Sequence, residues 1–182
     1  MNQKKSTNGD YIKCAICETT YGERIGDMPD GIMKWRISNI QLEGFNKKSF
    51  EIYYHFDHGK INNVNYSGTS RTAYLPDNKE GKNILKMLIQ SFMRRMTFIV
   101  GTSLTTGLQN TVVWAGIHHK TSPYGGPFGY PDKTYFFRVQ EELKVRNIDL
   151  NSIKLFEIES RGCIEVKNGL FVIETAKGVT FK

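Results

Sequence analysis

The chain has 182 residues, of which 39% are hydrophobic, and its formal net charge is +7. This length and composition predict one well-buried domain and exclude a disordered chain, while a basic balance favours phosphate-bearing partners without choosing among them. No apolar run suits a membrane span or a secretory signal, and three cysteines cannot build a disulfide framework, so we expect a cytoplasmic or nuclear protein with no membrane partner.

The first 20 residues are mostly polar and contain two cysteines. Cys14 and Cys17 have the spacing of half a zinc site, but a structural zinc ion needs four ligands and no second pair lies nearby. Either the rest of the site lies outside this chain, or the two cysteines are reduced or linked locally. We treat residues 1–20 as a tail.

Two strands are predicted next. Apolar and polar residues alternate from Met33 to Tyr54, with a turn around residues 44–48. Residues 55–68 are rich in Asn, Gly and His and predict a loop.

The first helix is the clearest element in the sequence. Asp77 or Asn78 is suited to accept hydrogen bonds from the free amides at its start, and Glu80 suits the helix dipole. Apolar residues at helical spacing form one face: Leu85, Leu88, Ile89, Phe92 and Met96.

A loop rich in glycine and hydroxyl residues follows that helix. Residues 101–107, Gly-Thr-Ser-Leu-Thr-Thr-Gly, connect two predicted strands at residues 97–100 and 111–114. Its amides and hydroxyls are suited to hold a phosphate or a ribose. Such a loop is also ordinary turn chemistry, and the pattern alone leaves both interpretations open.

Two adjacent histidines precede a segment rich in glycine and proline, residues 123–131. On an extended segment His118 and His119 point to opposite sides, so they cannot easily share one site. A lone histidine is more often a structural group than a catalyst, whereas the flexible segment that follows is typical of ligand pockets, so both interpretations stay open.

A second helix is predicted from Asp132 to Arg146, with Asp132 as its cap. On a helical wheel the apolar face is centred on Val139, and Glu142 lies at the margin of that face, whereas Glu141 points away. A carboxylate at a partly buried edge is a candidate general base, although an ordinary solvated glutamate gives the same pattern.

Beyond residue 149 the pattern changes to strands, with a type I′ hairpin at Asn168–Gly169. The fold class that we predict is α+β: one compact domain with a mixed or antiparallel sheet and two main helices, plus a β-hairpin-like extension. The domain covers residues 21–149 and the extension covers residues 150–182.

Six short motifs occur in one order across residues 14–149. They are Cys14-Ala-Ile-Cys17 with Tyr21-Gly22, Arg71 to Asp77, Gly101 to Gly107, Val113-Trp114, Ile117-His118-His119-Lys120-Thr121, and Gly129-Tyr130-Pro131-Asp132. In this order and spacing they resemble the end of the RING and the whole C-terminal domain of Deltex-type ubiquitin ligases.

The resemblance implies a function. In that family the RING recruits a ubiquitin-loaded conjugating enzyme, and the C-terminal domain binds ADP-ribose or NAD. The pair transfers ubiquitin to a hydroxyl of an ADP-ribosylated protein or nucleic acid, and with NAD some members support ADP-ribosylation of the ubiquitin C-terminus.

The resemblance also implies site residues. The ligand-binding set carried over to this chain is Gly101, Thr102, Ser103, His118, Phe128 and Tyr130, and the catalytic pair is Glu142 and His118, with Glu142 activating the accepting hydroxyl. Cys14 and Cys17 would bind zinc only as part of a complete RING.

Two positions depart from several relatives. Leu104 replaces a second serine in the loop, and Phe128 replaces a histidine, as it does in another branch of the family. An aromatic ring at 128 can stack on adenine or nicotinamide but cannot exchange a proton.

Two other functions stay open at this stage. One is a stand-alone ADP-ribose-binding reader domain without ligase activity. The other is a basic nucleic-acid-binding domain, suggested by the cations Lys4, Lys5, Lys82, Lys86, Arg94 and Arg95, although no known nucleic-acid-binding motif accompanies them.

Overall fold

The computed structural model describes residues 12–13, 20–21, 24–150, 158–168, 170–176 and 178–181. In these residues the helices are α1 (Lys79–Met93) and α2 (Tyr135–Lys144). The strands are β1 (Ile12–Lys13), β2 (Thr20–Tyr21), β3 (Gly31–Ser38), β4 (Ser49–Phe56), β5 (Gly59–Ile61), β6 (Val64–Tyr66), β7 (Thr69–Pro76), β8 (Phe98–Gly101), β9 (Thr111–Trp114), β10 (Arg161–Lys167), β11 (Leu170–Thr175) and β12 (Gly178–Phe181). The predicted α+β class is confirmed.

The main sheet has six antiparallel strands in the order β12-β11-β10-β3-β4-β7. The two strands expected between Met33 and Tyr54 are β3 and β4, which pair with Trp35 opposite Ile52. Both of these side chains are buried, whereas Lys34 and Tyr53 face the other side of the sheet and are exposed. The sheet therefore has one covered face and one open face.

Helix α1 covers the buried face and packs against β7, β10 and α2. Its predicted apolar face is confirmed, since Leu85, Leu88, Ile89 and Phe92 are all buried. Of the two candidate caps, Asn78 is the N-cap, and its side-chain oxygen accepts a 2.8 Å hydrogen bond from the amide of Gly81.

The loop predicted at residues 55–68 contains a short hairpin instead, formed by β5 and β6. Its two turn residues, Asn62 and Asn63, have φ values of 49° and 64°. Asparagine tolerates this left-handed region better than most residues, and a two-residue turn with positive φ at both positions matches the twist of the paired strands. The asparagines that suggested a loop are thus the residues that close the hairpin.

The C-terminal hairpin, formed by β10 and β11, and the strand β12 that follows it add three strands to the main sheet. β10 pairs with β3 along its length, from Arg161 opposite Arg36 to Val166 opposite Gly31. A side chain at Gly162 would place its Cβ 2.1 Å from Cζ2 of Trp35, so only glycine lets the indole lie against β10. Lys167 pairs with Leu170 across the predicted two-residue turn, whereas Gly169 itself lies outside the described residues.

Helix α2 is shorter than predicted. It begins at Tyr135, after Thr134 at the N-cap position, and Asp132 is not its cap. The Asp132 carboxylate instead accepts hydrogen bonds from the backbone and hydroxyl of Thr134 in the preceding turn. That turn delays the start of the helix by three residues.

Candidate functional site

The two adjacent histidines have opposite environments, as their spacing predicted. His119 is buried, and its ring stacks on Trp114 with 3.9 Å between ring centroids. Its Nδ1 donates to the carbonyl oxygen of Ile117 at 2.9 Å, so its Nε2 accepts from the Tyr54 hydroxyl at 3.0 Å. Burial lowers the pKa of His119 from 6.5 to about 4. His119 is therefore a neutral core residue.

His118 lies on the outside and contacts helix α2. Its Nδ1 meets one oxygen of Glu142 in a short hydrogen bond, and its backbone amide donates to the other oxygen at 2.8 Å. The side chain of His118 is 62% exposed and that of Glu142 is 21% exposed. The edge position predicted for Glu142 is thus confirmed, and Glu141 is exposed as expected.

Tyr135 holds the same histidine from the other side, and sequence reasoning missed this role. Its hydroxyl donates to the carbonyl oxygen of His118 at 3.2 Å. Tyr135 and Glu142 are seven residues apart, which is two helical turns, so both lie on one face of α2. Helix α2 therefore contacts both the backbone and the ring of His118, through Tyr135 and Glu142.

A buried ion pair underlies this region. Lys120 is 3% exposed, and its Nζ lies 2.8 Å from the Asp132 carboxylate and within 6 Å of the ring centres of Tyr130 and Tyr135. The hydrogen bond from Lys120 holds the pKa of Asp132 well below its usual range. The pair ties the segment that carries His118 to the start of α2. Nothing in the spacing of Lys120 and Asp132 reveals their contact.

The loop of residues 101–107 connects β8 to β9, as predicted. Three hydrogen bonds close the loop on itself: the Ser103 amide donates to the Leu108 carbonyl, the Gly107 amide donates to the Ser103 carbonyl at 2.8 Å, and the Thr106 amide donates to the Ser103 hydroxyl. In the described chain, the amides of Thr102, Leu104 and Thr105 donate no hydrogen bond. The backbone of Thr102 thus remains available to a ligand.

The structure joins His118 directly to Glu142 but not to this loop. No hydrogen bond or ion pair between described residues connects residues 101–107 with either side chain. The loop begins at the pair Gly101–Thr111, whereas His119 stacks on Trp114 at the other end of the β8–β9 hairpin. Three residues of strand separate the two ends, or about 10 Å at the usual rise.

Phe128 and Tyr130 lie in different surroundings. Phe128 is 62% exposed within the glycine- and proline-rich segment. Tyr130 is 1% exposed, and its hydroxyl donates to the Tyr74 carbonyl at 2.9 Å. The ring of Phe128 is thus open to a ligand, whereas the side chain of Tyr130 supports the segment from the core.

The predicted half-site Cys14 and Cys17 lies outside the described residues. Within the residues that the structure describes, no group of three or more His, Cys, Asp or Glu side chains could hold a metal ion. Among the same residues, no helix combines the length and apolar character needed to cross a membrane.

The fold and the site together define an α+β domain that presents a histidine–glutamate pair at the edge of its second helix. A model of the Deltex C-terminal domain matches residues 25–148 of this sequence. The chain therefore belongs to the Deltex C-terminal domain family, which confirms the resemblance drawn from the six motifs.

Curated proteins with similar sequences are named as ubiquitin-protein ligases. The "Probable E3 ubiquitin-protein ligase DTX3" of Homo sapiens is 41% identical over 146 residues, which cover 74% of this chain and 42% of that protein. The "E3 ubiquitin-protein ligase DTX1" of Homo sapiens is 36% identical over 151 residues, covering 75% and 24%. The "E3 ubiquitin-protein ligase DTX4" of Mus musculus is 35% identical over 155 residues, covering 78% and 25%. The chain thus spans less than half the length of these relatives.

Proposed function

We propose that this domain binds ADP-ribose or NAD and presents a hydroxyl of an ADP-ribosylated protein or nucleic acid for ubiquitin transfer. Family membership and the names of the relatives support the ligase part of the proposal. The observation that carries the chemistry is the exposed ring of His118, whose Nδ1 is engaged by Glu142.

The contact with Glu142 determines which ring nitrogen of a neutral His118 can accept a proton. An ionised carboxylate only accepts hydrogen bonds, so Nδ1 of a neutral His118 carries the proton and Nε2 keeps its lone pair. The backbone amide of His118 fills the second carboxylate oxygen, which stops the carboxylate from rotating away. A base oriented in this way is the arrangement of many hydrolases and transferases.

In the proposed reaction, a ribose hydroxyl oxygen attacks the thioester carbon that joins ubiquitin to its conjugating enzyme. The new C–O ester bond forms, the C–S bond breaks, and the cysteine thiolate leaves. Nε2 of His118 takes the hydroxyl proton, and Glu142 stabilises the resulting imidazolium. Glu142 therefore acts through His118, a refinement of the motif-based hypothesis in which Glu142 itself activates the hydroxyl.

Three other features support the proposal that the domain binds this ligand. The amide of Thr102 and the residues around Ser103 suit a phosphate or ribose, and the exposed ring of Phe128 suits stacking on adenine or nicotinamide. A ligand that reaches both the loop and His118 must be extended, as two nucleoside-like halves joined by a diphosphate are.

Calorimetric titration with ADP-ribose tests the binding part. We expect measurable heat with the unchanged chain, and weaker binding by about tenfold or more for His118→Ala. His58→Ala is the matched control, because His58 is an exposed histidine in another loop. The absence of heat at millimolar ADP-ribose would exclude the pocket.

Ubiquitin transfer to ADP-ribose, measured with a complete RING supplied, tests the catalytic part. Glu142→Gln should bind ADP-ribose nearly as well yet lose transfer by about a hundredfold or more, because it no longer stabilises the imidazolium. Glu141→Gln removes an exposed carboxylate one residue away and should leave transfer unchanged. If the unchanged chain binds ADP-ribose but neither it nor any variant transfers ubiquitin, the result would favour a stand-alone reader domain. Zinc, a ubiquitin-conjugating enzyme and ubiquitin enter the proposal only with the complete RING.

A further inference from the structure

The open face of the main sheet carries a groove that the proposed chemistry does not use. It encloses about 620 Å³, within the range of ligand-binding clefts, and its floor comes from β3, β4, β7, β10 and β11. The family match ends at residue 148, so β10 and β11 supply one half of the groove from outside the matched region. The groove exists because the C-terminal hairpin joins the sheet of the domain.

Three cations converge on the two middle strands of the groove. Arg161 of β10 lies directly opposite Arg36 of β3, and Lys34 lies two residues from Arg36 on the same face. Like charges placed opposite each other across a strand pair are destabilising. In the described part of the chain, neither Arg161 nor Lys34 makes an ion pair. An anion bound between them would remove this repulsion.

Arg36 is oriented by an acidic side chain of the neighbouring strand. Its Nε and Nη2 both lie 2.7 Å from one oxygen of Glu51, so it already holds a carboxylate of its own chain. The Arg36 side chain is mostly exposed, so solvent screens and weakens this pair. A phosphate group has more charge and more acceptor oxygens than a carboxylate, and two arginines with a lysine are its usual partners.

Acidic residues flank the cations on both sides. Glu51 lies on β4 beside Arg36, and Glu174 lies on β11 beside Cys163. These glutamates would repel a polyanion such as nucleic acid, whereas they attract positive side chains next to a single phosphate. The exposed ring of Tyr53, held by a 3.1 Å hydrogen bond from its hydroxyl to Ser70, adds a flat apolar wall. Across the groove the charges are therefore negative on β4, positive on β3 and β10, and negative on β11.

We propose that this groove is a docking site for a protein partner that carries one phosphorylated residue between basic residues. The phosphate lies between Arg36, Arg161 and Lys34, and the flanking basic side chains meet Glu51 and Glu174. The proposal does not depend on ADP-ribose binding, because none of these residues belongs to the His118 site.

Fluorescence anisotropy with the full chain tests the groove. The probe is a short labelled peptide with one central phosphoserine and a lysine on each side, compared with the unphosphorylated peptide and with a labelled oligothymidylate. We expect the phosphopeptide to bind at least about tenfold tighter than the unphosphorylated peptide, and also tighter than the oligothymidylate.

Two charge-matched variants separate the groove from general attraction. Arg161→Gln should weaken phosphopeptide binding by about tenfold. Lys167→Gln removes the same charge from the same strand, six residues or about 20 Å away, and should change binding less than about twofold. Equal losses in the two variants, equal binding of the two peptides, or preference for the oligothymidylate would each overturn the proposal. Unchanged circular dichroism of both variants shows that folding is intact.

Discussion

Acidification below pH 6.5 should destabilise this domain through the buried His119. The ring is neutral in the folded protein, where burial lowers its pKa to about 4, whereas in the unfolded chain its pKa is the usual 6.5. Above pH 6.5 both states hold the ring neutral, and His119 adds no pH dependence. Between pH 6.5 and pH 4 the unfolded chain binds a proton that the folded protein does not, so stability falls as the pH falls.

The size of this effect follows from the two pKa values. Each pH unit between them removes up to about 1.4 kcal/mol, and the whole interval removes about 3 kcal/mol from the free energy of unfolding. Below pH 4 the ring is protonated in both states and the loss levels off. A loss of about 3 kcal/mol is a large share of the stability of an ordinary domain.

Urea unfolding at a series of pH values measures this slope. The variant His119→Gln is less stable at every pH, but it should lack the part of the slope between pH 6.5 and pH 4 that belongs to His119. His58→Gln removes an exposed histidine and should keep the full slope. Equal slopes in the unchanged chain and in His119→Gln, or an NMR titration of the His119 ring near pH 6.5, would refute the reasoning.

The other predictions concern the supports of the site and of the sheet. Asp132→Ala should lower the free energy of unfolding by about 3–5 kcal/mol, because it leaves the buried Lys120 charge without its carboxylate, and Arg138→Ala, which removes an exposed partner of the same carboxylate, should cost less than about 1 kcal/mol. Comparable losses in these two variants by urea unfolding would contradict this. Gly162→Val should separate β10 from β3, because its Cβ would overlap the indole of Trp35, and faster hydrogen exchange at β10 amides would report the separation. Protected amides in that variant would show that the indole has room to move.

Much of the fold was predictable from the sequence because local patterns agree with the tertiary structure. Alternation defined β3 and β4, and helical spacing defined the buried face of α1. The hairpin of β5 and β6 differs from the predicted loop, because an Asn- and Gly-rich composition does not reveal the turn geometry that Asn62 and Asn63 adopt. The sequence also gave no sign that β10 pairs with β3, since the partner of an added strand depends on contacts far apart in the chain.

The site was predictable in part. The opposite environments of His118 and His119 follow from the alternation of an extended segment, and the edge position of Glu142 follows from the helical wheel. The hydrogen bond from Tyr135 to the His118 carbonyl was partly predictable, because Tyr135 lies seven residues before Glu142 and therefore on the same face of the helix. The ion pair of Lys120 and Asp132 was not, because it depends on how a loop folds back over twelve residues.

The pairing of β10 with β3 also determines which backbone meets the solvent. Without the C-terminal hairpin, β3 would be the outermost strand of the sheet, and the amides and carbonyls that it now shares with Arg161 to Val166 would be unpaired. An outer strand with unpaired backbone groups is a template for another chain. Among the described residues, the outer position on this side of the sheet belongs to β12, a strand of four residues, Gly178–Phe181, which is half as long as the eight-residue β3.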